Sequence, residues 1–295
     1  MGQLVVAELF KLRKRMMTWV LAAILVGLVV LIYSALWSAS VRVESFGERD
    51  PLTGFRHSFR ELRQALFLPG AIPYGLQVVG GFGAILAMIL AAGSIGSEYA
   101  WGTVRLMATA SSGRMRLMTA KLIVIFGLVA VGALLAVVAA VIYSYIIATY
   151  YGEASASFVT GTFVRDQFAS YGRTMLVLSP YISFAFAFAV IGRSTLAGVG
   201  SGLGLAFVEP FVDGLLRLGG SPWKDIPNYF LSTNRQVVML QNAVPSVLPH
   251  LGGGDSADAG ALSPFYAGLL LAMYAVVFIA IALVVFRRRD IGSGQ

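Results

Sequence analysis

The chain has 295 residues, 58% of them hydrophobic and only 12% charged, with a mean hydropathy of +0.79. Soluble domains run near a quarter charged, and they do not need the recurring apolar runs of 18 or more residues found here, so the composition excludes an ordinary soluble domain and specifies a polytopic membrane protein. The net charge of +8 sits in clusters beside those runs, a pattern of membrane orientation rather than of a phosphate-tracking patch, and the lack of cysteine excludes disulfides, thiolate metal sites and thiol nucleophiles.

Residues 1–15 read as an amphipathic helix. Leu4, Val5, Leu9 and Leu12 share one side, while Glu8, Lys11, Arg13, Lys14 and Arg15 lie largely elsewhere. Such a helix lies along membrane lipids with its cations at the headgroups. The following apolar run is too long for a signal-peptide core and is expected to be retained as a first span over 19–37, bracketed by Trp19 and Trp37.

Residues 41–70 are polar, with Phe55, Phe59, Leu62 and Leu66 at helical spacing opposite Arg56, Arg60 and Arg63, which predicts an interfacial helix closed by Pro69-Gly70. A second span over 72–93 is rich in glycine at Gly80, Gly81 and Gly83. The third, over 122–151, carries no formal charge and exceeds the roughly 20 residues needed to cross, so it is tilted or projects beyond the bilayer. A polar loop over 152–173 leads to a fourth span, 174–191, in which Pro180 predicts a kink.

Gly192-Arg193-Ser194 makes a short turn into the fifth span, 194–217. Its small residues fall in two overlapping registers, Gly198 with Gly202 and Gly200 with Gly204, each allowing close helix approach. Glu209-Pro210 follows too soon after Arg193 for a comfortable crossing. Either Glu209 lies inside the outer leaflet, or Pro210 breaks the helix near the surface. Glu209, Asp213 and Arg217 share one helix face, and Asp213 to Arg217 is an ion-pair spacing. The segment 219–263 contains a predicted short helix over 234–241 and a glycine- and serine-rich loop, before a sixth span, 265–286, closed by Arg287, Arg288 and Arg289.

Six spans put both termini on one side. That side holds Lys11, Arg13, Lys14, Arg15, the cations of the segment between spans two and three, Arg193 and the terminal arginines, so the positive excess marks it as cytoplasmic.

The segment 94–121 is the cation-rich interruption between the second and third spans. Trp101, Val104, Leu106 and Met107 offer an apolar side and Arg105, Arg114 and Arg116 a wet one. Gly102 and Gly113 bracket a helix of two to three turns with Thr103 as its cap, a shape that fits a groove on a soluble partner or lies on the membrane.

This segment resembles the coupling-helix region of ABC type-2 exporter permeases. The matching residues are Ile95-Gly96-Ser97-Glu98-Tyr99 with Trp101-Gly102-Thr103-Val104-Arg105, then Ser112-Gly113-Arg114 and Lys121. Glu8-Leu9-Phe10-Lys11-Leu12 with Arg15 and Trp19 is similar to the elbow helix of the same family. The resemblance implies an all-α membrane protein of six transmembrane helices, with an elbow helix, a cytoplasmic coupling helix between spans two and three, and outer short helices between spans five and six.

It implies a permease subunit in a bacterial or archaeal cytoplasmic membrane, paired with a second permease copy, in most cases an identical one, and with two ATPase subunits that bind ATP and magnesium. By this resemblance Glu98, Trp101, Gly102, Thr103, Val104 and Arg105 couple to the ATPase. The second and fifth spans face the central path, so Gly80, Gly83, Gly200, Gly204, Glu209 and Asp213 become path or gate candidates. The apolar character of that path favours hydrophobic or amphipathic cargo such as lipids, peptides or drugs.

The sequence contains no Gly-x-x-x-x-Gly-Lys-Ser/Thr, so it offers no phosphate loop and no nucleotide-binding domain; catalytic and metal residues are expected to be absent. His57 and His250 both fall in outer loops, and no HExxH or serine nucleophile motif occurs, which argues against an intramembrane enzyme. A secondary transporter would need ionisable residues at mid-membrane, of which few are present. A non-transporting sensor, immunity factor or scaffold on the same fold is the strongest alternative.

Overall fold

The computed structural model describes residues 1–46, 63, 65–102, 114–151, 159–242 and 262–288. All regular structure among them is helical. A first helix, α1 (Gly2–Arg13), precedes α2 (Met16–Phe46). The next long helix comes in three pieces: α3 (Ala71–Val78), a π turn (Val79–Gly83) and α4 (Ala84–Ala100). Then follow α5 (Arg114–Tyr150), α6 (Gly161–Gly192) and α7 (Thr195–Leu218). A 3₁₀ segment (Trp223–Tyr229), the short α8 (Leu231–Met239) and a 3₁₀ turn (Leu240–Asn242) lead to α9 (Pro264–Arg288).

Six of these helical runs are long and apolar enough to cross a membrane: Met16–Arg42, Ala71–Ala100, Met115–Tyr150, Gly161–Gly192, Thr195–Leu218 and Pro264–Arg288. They agree with the six expected spans. Several run further than hydropathy alone indicates, because a helix continues after its apolar stretch has ended. The polar stretch before the fourth span, expected as loop through Arg173, is helical from Gly161, capped where Thr160 Oγ1 accepts a hydrogen bond from Phe163 N.

Pro180 and Pro210 both lie inside continuous helices. Proline at 180 has no N–H for the Leu176 carbonyl, and the Ser179 hydroxyl donates to that carbonyl instead at 2.7 Å. Because α7 runs unbroken to Leu218, the alternative in which Pro210 ends the fifth span is not the one adopted. The expected short outer helix exists but starts earlier, at Leu231. Phe55, Phe59 and Leu62 of the expected interfacial helix lie outside the described residues.

The centre of the bundle is α4 with α6, which pack on each other and on α7, while α6 also carries α9 on another face. Small side chains let these helices approach. On α4, Ala84, Ala87, Ala91 and Ala92 are buried, and Gly198 of α7 lies against Ala92 and against Ala185 and Ala189 of α6, with Gly202 against Met88 and Ala185. A Cβ on Gly96 would fall 2.3 Å from the Thr195 amide nitrogen, so the end of α4 and the start of α7 touch backbone to backbone. In contrast α2, α7 and α9 present long apolar faces outward, with Leu31, Phe207, Phe211, Leu215 and Val276 among the exposed side chains. That inversion suits helices that face lipid or other transmembrane helices rather than water.

Candidate functional site

Two polar constructions stand at opposite ends of the bundle. The first joins α1 to the end of α4 and the start of α5. Lys121 is fully buried, and its Nζ donates to Glu8 Oε2 at 2.5 Å and to Glu98 Oε1 at 2.8 Å. Lys11 Nζ donates to the same two carboxylates, at 2.6 Å to Glu8 and 2.8 Å to Glu98. Arg15 adds a third cation, 3.9 Å from Glu98 Oε1, while its Nη1 donates to the Ser97 hydroxyl at 2.7 Å. Glu8 and Glu98 are themselves buried.

Three cations thus enclose two carboxylates, each carboxylate being bonded from more than one helix. Burial by itself would push the Glu8 carboxyl up, but Lys121 and Lys11 outweigh it and hold Glu8 below the usual carboxylate range. Burial would likewise lower Lys11, and Glu8 and Glu98 together carry it above its ordinary value instead. Both shifts favour the charged forms of Glu8 and Lys11.

Directly beyond it α4 ends. Trp101 is exposed with the Arg15 guanidinium 5.1 Å from its ring centre, and Gly102 adopts φ +67°, a left-handed conformation that glycine takes without strain. Of the six residues expected to couple, Glu98, Trp101 and Gly102 gather at this end of α4, whereas Thr103, Val104 and Arg105 lie outside the described residues. Glu98 is sealed inside the junction, so any influence it has on a partner passes through the helices it binds.

The second construction involves Glu209 on α7. Its Oε1 accepts the Leu231 amide at 2.5 Å and its Oε2 the Ser232 amide at 3.2 Å, the first two amides of α8. Asp213, one turn on, accepts from Arg217 Nε at 2.8 Å, the pairing its spacing predicted. The remaining path candidates separate. Gly80 is covered by Met239 of the α8 end, and Gly83 is buried against Val79 and Leu25. A Cβ on Gly200 or Gly204 would meet nothing within 4 Å, so these two face outward, and of the two registers it is Gly198 with Gly202 that packs inward.

Sequence reasoning did not connect Glu8, Lys11 and Arg15 with Glu98 and Lys121. The available signal was charge inside otherwise apolar helices, since a lysine or glutamate that cannot reach water must meet an opposite charge. Among the described residues no three His, Asp or Glu stand together in a way that could hold a metal ion.

A family model described as a protein of unknown function, DUF2705, matches residues 70–292. The chain belongs to the DUF2705 family. No curated protein matches it. Within this DUF2705 chain the match takes in Glu98, Lys121, Glu209 and α8, while α1, α2 and the Glu8 side of the ion network precede it.

Proposed function

We propose that this DUF2705 chain is the transmembrane permease subunit of an ATP-driven transporter of the ABC type-2 class, an exporter of hydrophobic or amphipathic compounds. It works beside a second permease copy and two ATPase subunits that bind ATP and magnesium, with both termini in the cytoplasm of a bacterial or archaeal cell. In this reading α1 is the elbow helix, and the segment after Gly102 enters the ATPase groove.

The observation that carries the proposal is the ion network around Lys121. It fastens α1, α4 and α5 together at the point where α4 gives way to the 103–113 segment. A force applied to that segment by closing ATPases is therefore delivered to α1 and to two membrane-spanning helices at once, and α4 is packed on α6 and α7 in the bundle centre. Trp101 is exposed beside this junction, as a contact residue must be. ATP-driven closure would then reorient the spans by alternating access.

The test is a gentle solubilisation of the chain from its host with identification of co-purifying proteins. Recovery of a phosphate-loop ATPase, lost on disruption of Gly102 and Thr103, is expected. Recovery of no ATPase would overturn the permease reading in favour of a non-transporting membrane protein. The purified chain alone should hydrolyse no ATP, and appreciable turnover would equally contradict it.

A further inference from the structure

At the end of the bundle away from the ion network, α8 bridges helices that belong to different spans. Its N-terminus has no side-chain cap of its own, since Phe230 stands at the cap position. Glu209 of α7 fills that role from another helix, taking the Leu231 and Ser232 amides with one carboxylate oxygen each. Charge-assisted bonds to helix-terminal amides are among the stronger hydrogen bonds, and the helix dipole adds to them. Arg235, one turn further along α8, faces the same carboxylate.

The other end of α8 is held differently. Met239 is buried, and its sulfur accepts contacts from Thr174 Oγ1 at 3.8 Å and Asn242 Nδ2 at 3.7 Å. Its methyl covers Gly80 in the π turn of the second span, where an added Cβ would lie 2.8 Å from Met239 Cε. Methionine is a flexible, adaptable filler, so this end is a soft fit into a notch rather than a polar lock. Between the two ends the buried Asn234 stiffens the element, its Nδ2 donating to the Asn228 and Phe230 carbonyls at 2.9 and 2.7 Å. One end is thus held by the Glu209 carboxylate and the other sits in an apolar notch, on two different spans, while the helix between them packs on α9 and α6.

We propose that α8 is a releasable strap tying the fifth span to the second at the end opposite the ion network, with the Glu209 carboxylate as its latch. Loss of that contact loosens the N-terminal end of α8, and the compliant Met239 fit at the other end lets the helix shift on the α9 and α6 surfaces it packs against. The consequence for export, an outer exit opened by unlatching, rests on the permease reading; the latch itself does not.

The native chain has no cysteine, so a reporter thiol can be introduced without background. Val238 is 3% exposed on α8. In full-length chain in lipid nanodiscs, open to both faces, Val238→Cys should react slowly with a charged methanethiosulfonate. Adding Glu209→Gln should raise that rate at least threefold. So should Leu231→Pro, which deletes the amide that Glu209 Oε1 accepts at the first helical position, where proline is tolerated. The preceding Phe230 already has the extended backbone (φ −71°, ψ 151°) that proline requires of its neighbour.

A control Ile95→Cys, fully buried in α4, should stay unreactive in every background. Folded variants whose Val238→Cys rates remain within threefold of the parent would overturn the strap. Because the assay contains neither ATP nor cargo, its failure would leave the permease reading standing, and absence of an ATPase partner would leave the latch standing.

Discussion

Lys121 and Glu8 are 113 residues apart in the chain and meet at 2.5 Å inside the protein, with no part of the lysine exposed. Removing one member of a buried, hydrogen-bonded ion group leaves its partners charged and unsolvated, which costs about 3–5 kcal/mol. Lys121→Met is therefore expected to lower the thermal unfolding midpoint strongly in detergent or nanodiscs. Adding Glu8→Gln should recover part of the loss, because it removes one of the stranded charges, and a double-mutant cycle reads the coupling. Strictly additive effects would contradict the network.

The same network predicts how stability varies with pH. Glu8 is held below its ordinary carboxylate value, so its contribution is complete above the unfolded value of about 4.3 and disappears as pH falls through the lower folded value. Lys11 is held above its ordinary value, so its contribution is complete below about 10.4 and fades as pH rises through the higher folded value. Unfolding midpoints should form a plateau between those limits, and Glu8→Gln should flatten the acid limb and, by removing one of the two carboxylates that raise Lys11, shift the alkaline limb to lower pH.

Glycines of similar sequence context should respond differently to alanine. At Gly96 the new methyl would stand 2.3 Å from the Thr195 backbone nitrogen, an atom that cannot swing aside, and overpacking of this kind costs about 1–3 kcal/mol or more. Gly200 and Gly204 have nothing within 4 Å of the added carbon, so alanine there should be neutral or should stabilise by up to about 1 kcal/mol through helix propensity. Thermal melts of the three single variants test the contrast.

Trp101 is 66% exposed, with the Arg15 guanidinium over its ring, so its truncation should move the unfolding midpoint little. Under the proposed function, Trp101→Ala and Arg105→Glu should leave the partner ATPase active but reduce cargo movement by about tenfold, since the contact that links them is weakened. Normal transport by both variants in proteoliposomes would refute the coupling assignment.

The number and order of the spans were legible because membrane-crossing helices must be apolar over about 20 residues, and nothing else in this sequence is. Their ends were not. Gly161 to Arg173 is polar yet helical, since a helix emerging from the bilayer can continue in water, and hydropathy registers only the apolar part. The two glycine registers of the fifth span were equally visible, but which of them faces inward depends on where α4 and α6 lie, a property of the assembled bundle. The Lys121 junction was not legible: Glu8, Lys11 and Arg15 read as the polar side of an amphipathic helix and Glu98 and Lys121 as parts of the 94–121 segment, while their meeting joins segments on either side of two spans. The Glu209 contact was hidden further, because its partners are backbone amides, which every residue but proline possesses.

The five-residue π turn at Val79–Gly83 divides the second span into halves with partly different neighbours. Before it, α3 packs on α5, with Gly75 closing on Ala140, and also on α6; after it, α4 packs mainly on α6 and α7. An unbroken α-helix would carry one face straight along its length, so a single stripe would have to satisfy both surroundings. The extra residue accommodated in the wider turn offsets the lower stripe from the upper by about 100°, one residue's rotation. The helix changes its facing at this turn. Any rearrangement that drew the turn back to α geometry would rotate the Gly80 notch relative to the inner half, and the two ends of the molecule would register the same event as a change of angle rather than of distance.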